Sequence, residues 1–390
     1  MDFLPLELLS EIANQKVLSN KDLTSFARVN HRFHDAACTR LYRSGELSYV
    51  GVTNKDIVKV NSYEKNGKFV RIIKLNLFSL PTSTISIPTA IFPFLTAFIN
   101  LHRIHITDSA SLDWSSFLHV LAIIITTHPY LKILEVQRTL ISADGRSDIS
   151  QPLSLIESHK SNKGTFAKLD VFILRLSKKD HPGLISRAAL NNLISILLPS
   201  TRSARAFTYS SDSHESSDID LKDPVTKRDY EAAAWEWDNL EELTLKLVPR
   251  LLPTGGADVI GTPNPNWSYY LSIQRDLRNV KRLAIKTGID ELLAQGSGIF
   301  IGGLDVMPQL TSLRISNTGR YLDWDTKHNP KHPFFTLAQR LPNLKYIEQT
   351  DSYYLTRAIQ SLKVFRGEGH SVDFGYVVSD RPWISYDWEY

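Results

Sequence analysis

The chain has 390 residues, 42% hydrophobic and 22% charged, an ordinary globular composition with ample material for a large core. Its 45 basic and 41 acidic residues leave a net charge of +4, and no long Lys/Arg run makes an electrostatic footprint for nucleic acid. One cysteine, Cys38, excludes an intramolecular disulfide and a cysteine-based zinc cluster, and fits a reducing compartment, cytoplasmic or nuclear. The first residues carry Asp2 and Glu7 and no basic segment before an apolar run, so no signal peptide is expected. The longest apolar run, Val120 to Ile125, is too short to span a bilayer, and no membrane partner is expected.

Three helices are expected within residues 3–44. Pro5 suits a helix start and Glu7 the positive end of its dipole, ahead of a stripe of Leu8, Leu9 and Ile12. Ser19-Asn20 followed by Asp22 starts a second helix, with Leu23, Phe26 and Ala27 on one face. Asn30 caps a third, with Phe33, Ala36, Ala37 and Leu41 at helical spacing. So small a unit is rarely stable alone, so its apolar surface calls for cover from the rest of the chain, a partner, or both.

The order Leu4-Pro5-x-Glu7-Leu8-Leu9-x-x-Ile12, then Asp22-Leu23, then Arg28-Val29-Asn30-x-Arg32-Phe33, then Leu41-Tyr42-Arg43 resembles an F-box over about the first 45 residues. Phe33 and Tyr42 stand where that family commonly has Trp, and both keep the aromatic bulk. The resemblance implies binding to a Skp-type adaptor and, through it, to a cullin-based ubiquitin ligase. It places Leu4, Pro5, Leu8, Ile12, Leu23 and Val29 at or near the adaptor interface, a helix-in-groove contact that needs no catalytic group.

A connector is expected over 46–68. From there to residue 390 one pattern recurs, apolar-x-x-apolar-x-apolar. It reads VRIIKL at Val70, LHRIHI at Leu101, LKILEV at Leu131, LDVFIL at Leu169, LEELTL at Leu240, VKRLAI at Val280 and LTSLRI at Leu310. Weaker copies are ARAFTY at Ala204, LKYIEQ at Leu344 and LKVFRG at Leu362. Helical patterns precede several copies: SSFLHVLAIIITTHPYL, ALNNLISILLP, YLSIQRDLRNV and FFTLAQRLPNL. The fold class expected is α/β: a three-helix F-box, then an irregular solenoid of strand and helix repeats that resembles the degenerate leucine-rich repeats found behind F-boxes. No asparagine stands at the usual repeat position. An ordinary α/β domain with parallel strands is the alternative.

With the first, fourth and sixth pattern positions facing a core, the third and fifth face the other side of the sheet. Those positions are Lys74, Arg103, His105, Glu135, Glu242, Thr244, Arg282, Ser312, Arg314, Tyr346 and Glu348, expected on a solvated concave face. Arg103, Glu135, Glu242, Arg282, Arg314 and Tyr346 are the candidates for contact with an unknown target protein. A loop is expected over Thr208–Pro224, which is acidic and Ser-rich, and a cap over the aromatic tail 381–390.

Catalytic signals are absent from this reading. Residues 295–303 are glycine-rich but follow neither the G-x-G-x-x-G spacing nor a P-loop, and serve better as a loop. His102 and His105, three apart on a strand, point to opposite faces, and the histidines of 328–332 lie in a loop pattern. Trp235 and Trp237 read as packing. No catalytic residue, metal site or cofactor is expected. The expected function is that of a non-catalytic, substrate-recognising subunit of an SCF-type ubiquitin ligase, with a protein-interaction scaffold of no ubiquitin role as the alternative.

Overall fold

The computed structural model describes residues 4–49, 66–77, 95–109, 112–140, 147–178, 187–211, 234–247, 274–286, 307–316, 338–339, 341–350, 358–367 and 372–377. The chain is mixed α/β, with a large, mostly parallel sheet. It forms two compact units, Met1–Arg138 with Ser147–Lys168, and Thr139–Arg146 with Leu169–Tyr390. No helix among the described residues is long and apolar enough to cross a membrane.

The first unit opens with three helices, α1 (Leu6–Ala13), α2 (Asn20–Ala27) and α3 (His31–Leu41). Strands β1 (Ser44–Tyr49), β2 (Ile72–Leu77), β3 (Arg103–Asp108) and β4 (Ile133–Leu140) follow. Consecutive strands pair in parallel, in the register Ser44–Ile72–Arg103–Ile133. Helix α4 (Trp114–Thr127) precedes β4; Asp113 caps it by accepting from Ser116 N–H at 2.9 Å, and most of its side chains are buried. Helix α5 (Ser150–Ser161) completes the unit.

The second unit holds β5 (Val171–Lys178), helix α6 (Arg187–Thr201), β6 (Ala206–Ser211) and the short β7 (Trp235–Glu236). Then come β8 (Glu242–Leu247), the short β9 (Gln274–Arg275), β10 (Arg282–Lys286), β11 (Ser312–Ser316) and β12 (Tyr346–Thr350). The register Val171–Ala206–Glu242–Arg282–Ser312–Tyr346 runs through parallel neighbours. β13 (Ala358–Arg366) and β14 (Val372–Val377) close the order antiparallel, and β7 pairs with β9 apart from this sheet.

All ten copies of the six-residue pattern fall on strands, the last, LKVFRG, on antiparallel β13. Number the first apolar residue of each copy as position 1. Every paired parallel strand then aligns position 3 with position 3. The backbone repeats as well. The N–H groups at positions 2 and 3 both donate to the position 2 carbonyl of the preceding copy, as at His102 and Arg103 to Arg71, and Thr311 and Ser312 to Lys281. Arg71 and Ile72 donate in the same way to Arg43. That assigns Tyr42–Leu47 as a further copy, and β1 crosses the expected boundary at 45, running from the end of the F-box segment into the connector. Sequence pattern alone missed it because Gly45 stands at position 4, where the other copies are apolar.

Seven copies start with a second repeated turn, in which position 1 N–H donates to the carbonyl three residues back, as in Leu101 to Phe98, Leu131 to His128 and Val280 to Leu277; Leu169 departs and donates to Ser200. The residue at position −2 is buried in most copies, as at Phe98, His128, Thr201, Trp237, Leu277, Met307 and Leu341, and half-buried at Phe166. At position 0, Asn100 donates to the Lys68 carbonyl (2.8 Å), Asn279 to Asp238 (3.1 Å) and Asn343 to Pro308 (2.8 Å). A recurrent asparagine is therefore present. It was missed because it lies one residue before the six-residue pattern.

Two other expectations differ. YLSIQRDLRNV does not end as an α-helix: Gln274–Arg275 form β9 and Leu277–Asn279 a 3₁₀ turn, entered through Asp276 in a left-handed conformation, φ 62°. Thr208–Ser211, the first residues of the expected loop, belong to β6, and 212–224 lie outside the described residues. Residues 295–303, 328–332 and 381–390 lie outside the described residues.

Candidate protein-interaction surfaces

The three opening helices share a core of Leu9, Ala13, Leu23, Phe33 and Ala36, with Leu4, Leu18, Phe26 and Leu41 packed against it. Local chemistry fixes each helix start. Pro5 occupies the N-cap of α1. Ser19 and Asp22 form a reciprocal capping box on α2, and the hydrogen bonds from Ser19 hold the Asp22 carboxyl below its ordinary range. The Asn30 side chain accepts from Arg32 and Phe33 N–H. Arg40 donates to the carbonyls of Ala13 (2.9 Å), Gln15 (2.6 Å) and Leu18 (2.9 Å), tying the α1–α2 turn to α3. Arg32 donates to the Leu4 carbonyl at 2.7 Å. Cys38 is buried, and burial pushes its thiol up to about 11.

Helix α1 is apolar on two sides. Leu9 and Ala13 face inward, while Leu8 and Ile12, one turn apart, are 44% and 42% exposed. Val29, at the end of α2, is 62% exposed, Pro5 is exposed and Leu4 half-buried. The candidates thus separate. Pro5, Leu8, Ile12 and Val29 present apolar surface, whereas Leu23 is fully buried: its stripe with Phe26 packs on Phe33 and serves the cluster core. Exposed Leu6 and Val17 also carry apolar surface and were not singled out from sequence.

The strand face did not match the solvated surface expected of it. Glu135, Glu242, Thr244, Ser312, Arg314 and Glu348 are buried; Arg103, His105, Arg282 and Tyr346 are half-buried; only Lys74 is largely open. The apolar residues at the same positions, Ile133, Val171 and Ile173, are buried too. Parallel sheets are commonly covered on both faces, and this one follows that rule from β4 onward.

Parallel pairing sets opposite charges on neighbouring strands, directly opposite each other or, for Arg103 and Glu135, diagonally. Arg103 Nη2 lies 3.4 Å from Glu135 Oε2, Arg282 Nε 2.8 Å from Glu242 Oε1, and Arg314 Nε and Nη2 lie 2.7 and 2.6 Å from Glu348 Oε2. His105 Nδ1 is 3.8 Å from the same Glu135 oxygen, and Lys74 Nζ 3.3 Å from Glu46. These charges are spent on neighbouring strands, and such cross-strand pairs help fix register. On the core side the buried Asp108 and Arg138 form another pair, with the Arg138 guanidinium 5.0 Å over the Trp114 ring and 4.5 Å over Phe117, and donating to the Leu112 carbonyl at 3.1 Å.

Trp235 and Trp237 are buried and stack on each other at 5.8 Å, with Trp235 tilted 5.3 Å from Phe172 and Trp237 4.8 Å from Phe207, as the packing reading expects. Among the described residues no group of three or more His, Cys, Asp or Glu is placed to hold a metal. No protein-family model matches the chain, and no curated protein gives a significant sequence match.

Proposed function

We propose that this chain is the substrate-recognition subunit of an SCF-type ubiquitin ligase. The helical cluster binds a Skp-type adaptor, which joins it to a cullin, and the strand repeats form a leucine-rich-repeat-like solenoid that holds a target protein. The mechanism is positioning: the target is held at high effective concentration beside a ubiquitin-conjugating enzyme, and the transfer chemistry belongs to other subunits. The lone, buried Cys38 fits a cytoplasmic or nuclear setting.

The observation that carries the reading is the double-sided helix α1. A helix that only covered its neighbours would need Leu9 and Ala13; Leu8 and Ile12 stay exposed beside Pro5 in an F-box-like motif order. For the repeat array, the support is the in-register pairing with its recurring asparagine and backbone bonds.

The test is co-purification of the full chain with a Skp-type adaptor, beside a Leu8→Asp/Ile12→Asp variant. These side chains are exposed, so the variant should keep its helical signal and lose stoichiometric capture. A folded wild-type chain that captures no adaptor would sink the proposal. One observation favours the second reading, a scaffold with the cluster as a cap: Arg43, one residue past the C-cap of α3, already accepts the repeat bonds of the next copy. Failure of capture would leave that reading in place.

A further inference from the structure

Helix α1 carries the exposed Leu8 and Ile12, yet it has little of its own to hold it in place. Its 8 residues are too few for a stable isolated helix in water, so its pose depends on tertiary contacts. Within the helix only Leu9 and Ala13 are buried. They lie one turn apart on a single stripe, which fixes where the helix touches the core and constrains its angle weakly. The N-cap, Pro5, makes no side-chain hydrogen bond, and the last turn has no basic residue to meet the C-terminal carbonyls.

What α1 lacks is supplied by α3. Near the start of α3, Arg32 Nη2 donates to the Leu4 carbonyl at 2.7 Å, just before α1 begins. Toward the other end, Arg40 Nη1 donates to the carbonyls of Ala13 (2.9 Å) and Gln15 (2.6 Å), and its Nη2 to Leu18 (2.9 Å), at and just past the end of α1. From Arg32 to Arg40 the helix rises about 12 Å, which matches the length of α1 itself. Helix α3 therefore grips α1 at both ends. A guanidinium suits this task, because its rigid fork of donors can meet several carbonyls at once, whereas an ammonium is a single point charge. Both arginines are half-buried, where charge-assisted hydrogen bonds are stronger than on an open surface.

We infer that Arg32 and Arg40 are positioning residues for adaptor binding: they hold α1 in the pose that presents Leu8 and Ile12 to a Skp-type adaptor. The inference rests on the adaptor reading above. Neither arginine belongs to α1 or α2; each acts through backbone carbonyls that flank or end α1. Such a clamp raises the fraction of chains whose α1 is ready to bind, and apparent affinity scales with that fraction. Loss of a residue acting in this way appears in the association rate, whereas loss of a direct interface contact appears mainly in dissociation.

The experiment is surface plasmon resonance of the full-length chain on an immobilised Skp-type adaptor, paired with hydrogen exchange of the chain alone. Arg32→Met and Arg40→Met should each slow association about fivefold or more and leave dissociation within about twofold of the wild type. The backbone amides of α1 should exchange about fivefold faster or more in both variants, while those of β2, β3 and β4 keep their protection. Arg40→Lys, which keeps the charge and loses the fork, should fall between the wild type and Arg40→Met. Arg278→Met, in the second unit, should change neither readout. Unchanged association of the variants beside intact wild-type capture would overturn the inference and leave the adaptor reading standing. A loss confined to dissociation would make the arginines direct contacts, and lost protection across β2, β3 and β4 would make them general determinants of the fold; either result overturns the inference. A wild-type chain that captures no adaptor ends both readings.

Discussion

His128 makes the acid stability of the chain calculable. It sits at the C-cap of α4 and at position −2 of its copy, where other copies place Phe98, Leu277 or Met307. Burial holds its imidazole down to about 4 from the ordinary 6.5, against a weaker upward pull from the nearby Phe98 backbone. In the unfolded chain the ring takes a proton near 6.5; in the folded chain it does so only near 4. Between those values the unfolded state binds more protons, so stability falls as pH drops. The contribution is complete above about pH 7, and lost progressively down to about pH 4. At about 1.4 kcal/mol per pH unit, that interval amounts to roughly 3 kcal/mol, a large share of a typical net stability. The assay is urea unfolding at a series of pH values for the wild type and His128→Gln. Carboxylates titrate alike in both, and His119, also lowered by burial, is common to both. The difference between the two curves therefore isolates His128: the wild type should lose roughly 3 kcal/mol more than the variant on acidification. Parallel curves would refute the argument.

The buried Asp108–Arg138 pair should show the asymmetry of buried charge. Asp108→Asn leaves the guanidinium uncompensated and should cost about 3–5 kcal/mol, while Asp108→Leu/Arg138→Met should recover most of that loss. Urea midpoints of the single and double variants decide it, and a double variant no better than the single contradicts it. At the strand ends, Asn343→Ala removes the hydrogen bond to the Pro308 carbonyl and should cost about 1 kcal/mol. Asn239→Ala, at the equivalent position, should cost less, because the Asn239 side chain makes no such bond among the described residues; equal losses measured by denaturation would deny that the ladder bond matters.

How far the sequence disclosed the fold depends on which chemistry repeats. Positions 1, 4 and 6 recur because the parallel strands bury the same side chains, so the seven full copies are readable from apolar spacing; in LKVFRG position 4, Phe365, is 46% exposed and position 3, Val364, is buried, as β13 runs antiparallel. Position −2 is not readable, because Thr201, His128 and Trp237 fill the same buried place and share no property that a pattern detects. The asparagines stand in the sequence in LRNV, LPNL, DNLE and INLH, but they lie one residue before the apolar pattern and their side chains act on a neighbouring copy rather than on their own. The helix starts were readable, since Ser19, Asp22 and Asn30 act on backbone groups within a few residues. YLSIQRDLRNV misled because its apolar spacing suits a helix, while pairing of Gln274–Arg275 with Trp235–Glu236, far off in the chain, set the outcome.

The candidate site was half legible for a related reason. Exposure of Leu8 and Ile12 follows from a helix with more apolar residues than its small core can take. The strand face failed on a cue that was present: LKILEV and LDVFIL place Ile133, Val171 and Ile173 at positions 3 and 5, and apolar residues on both faces mark a strand covered on both sides. Once that face is buried, its charges have to be paired, and Arg282 with Glu242 and Arg314 with Glu348 are. A charged residue in a strand is then no sign of a binding surface.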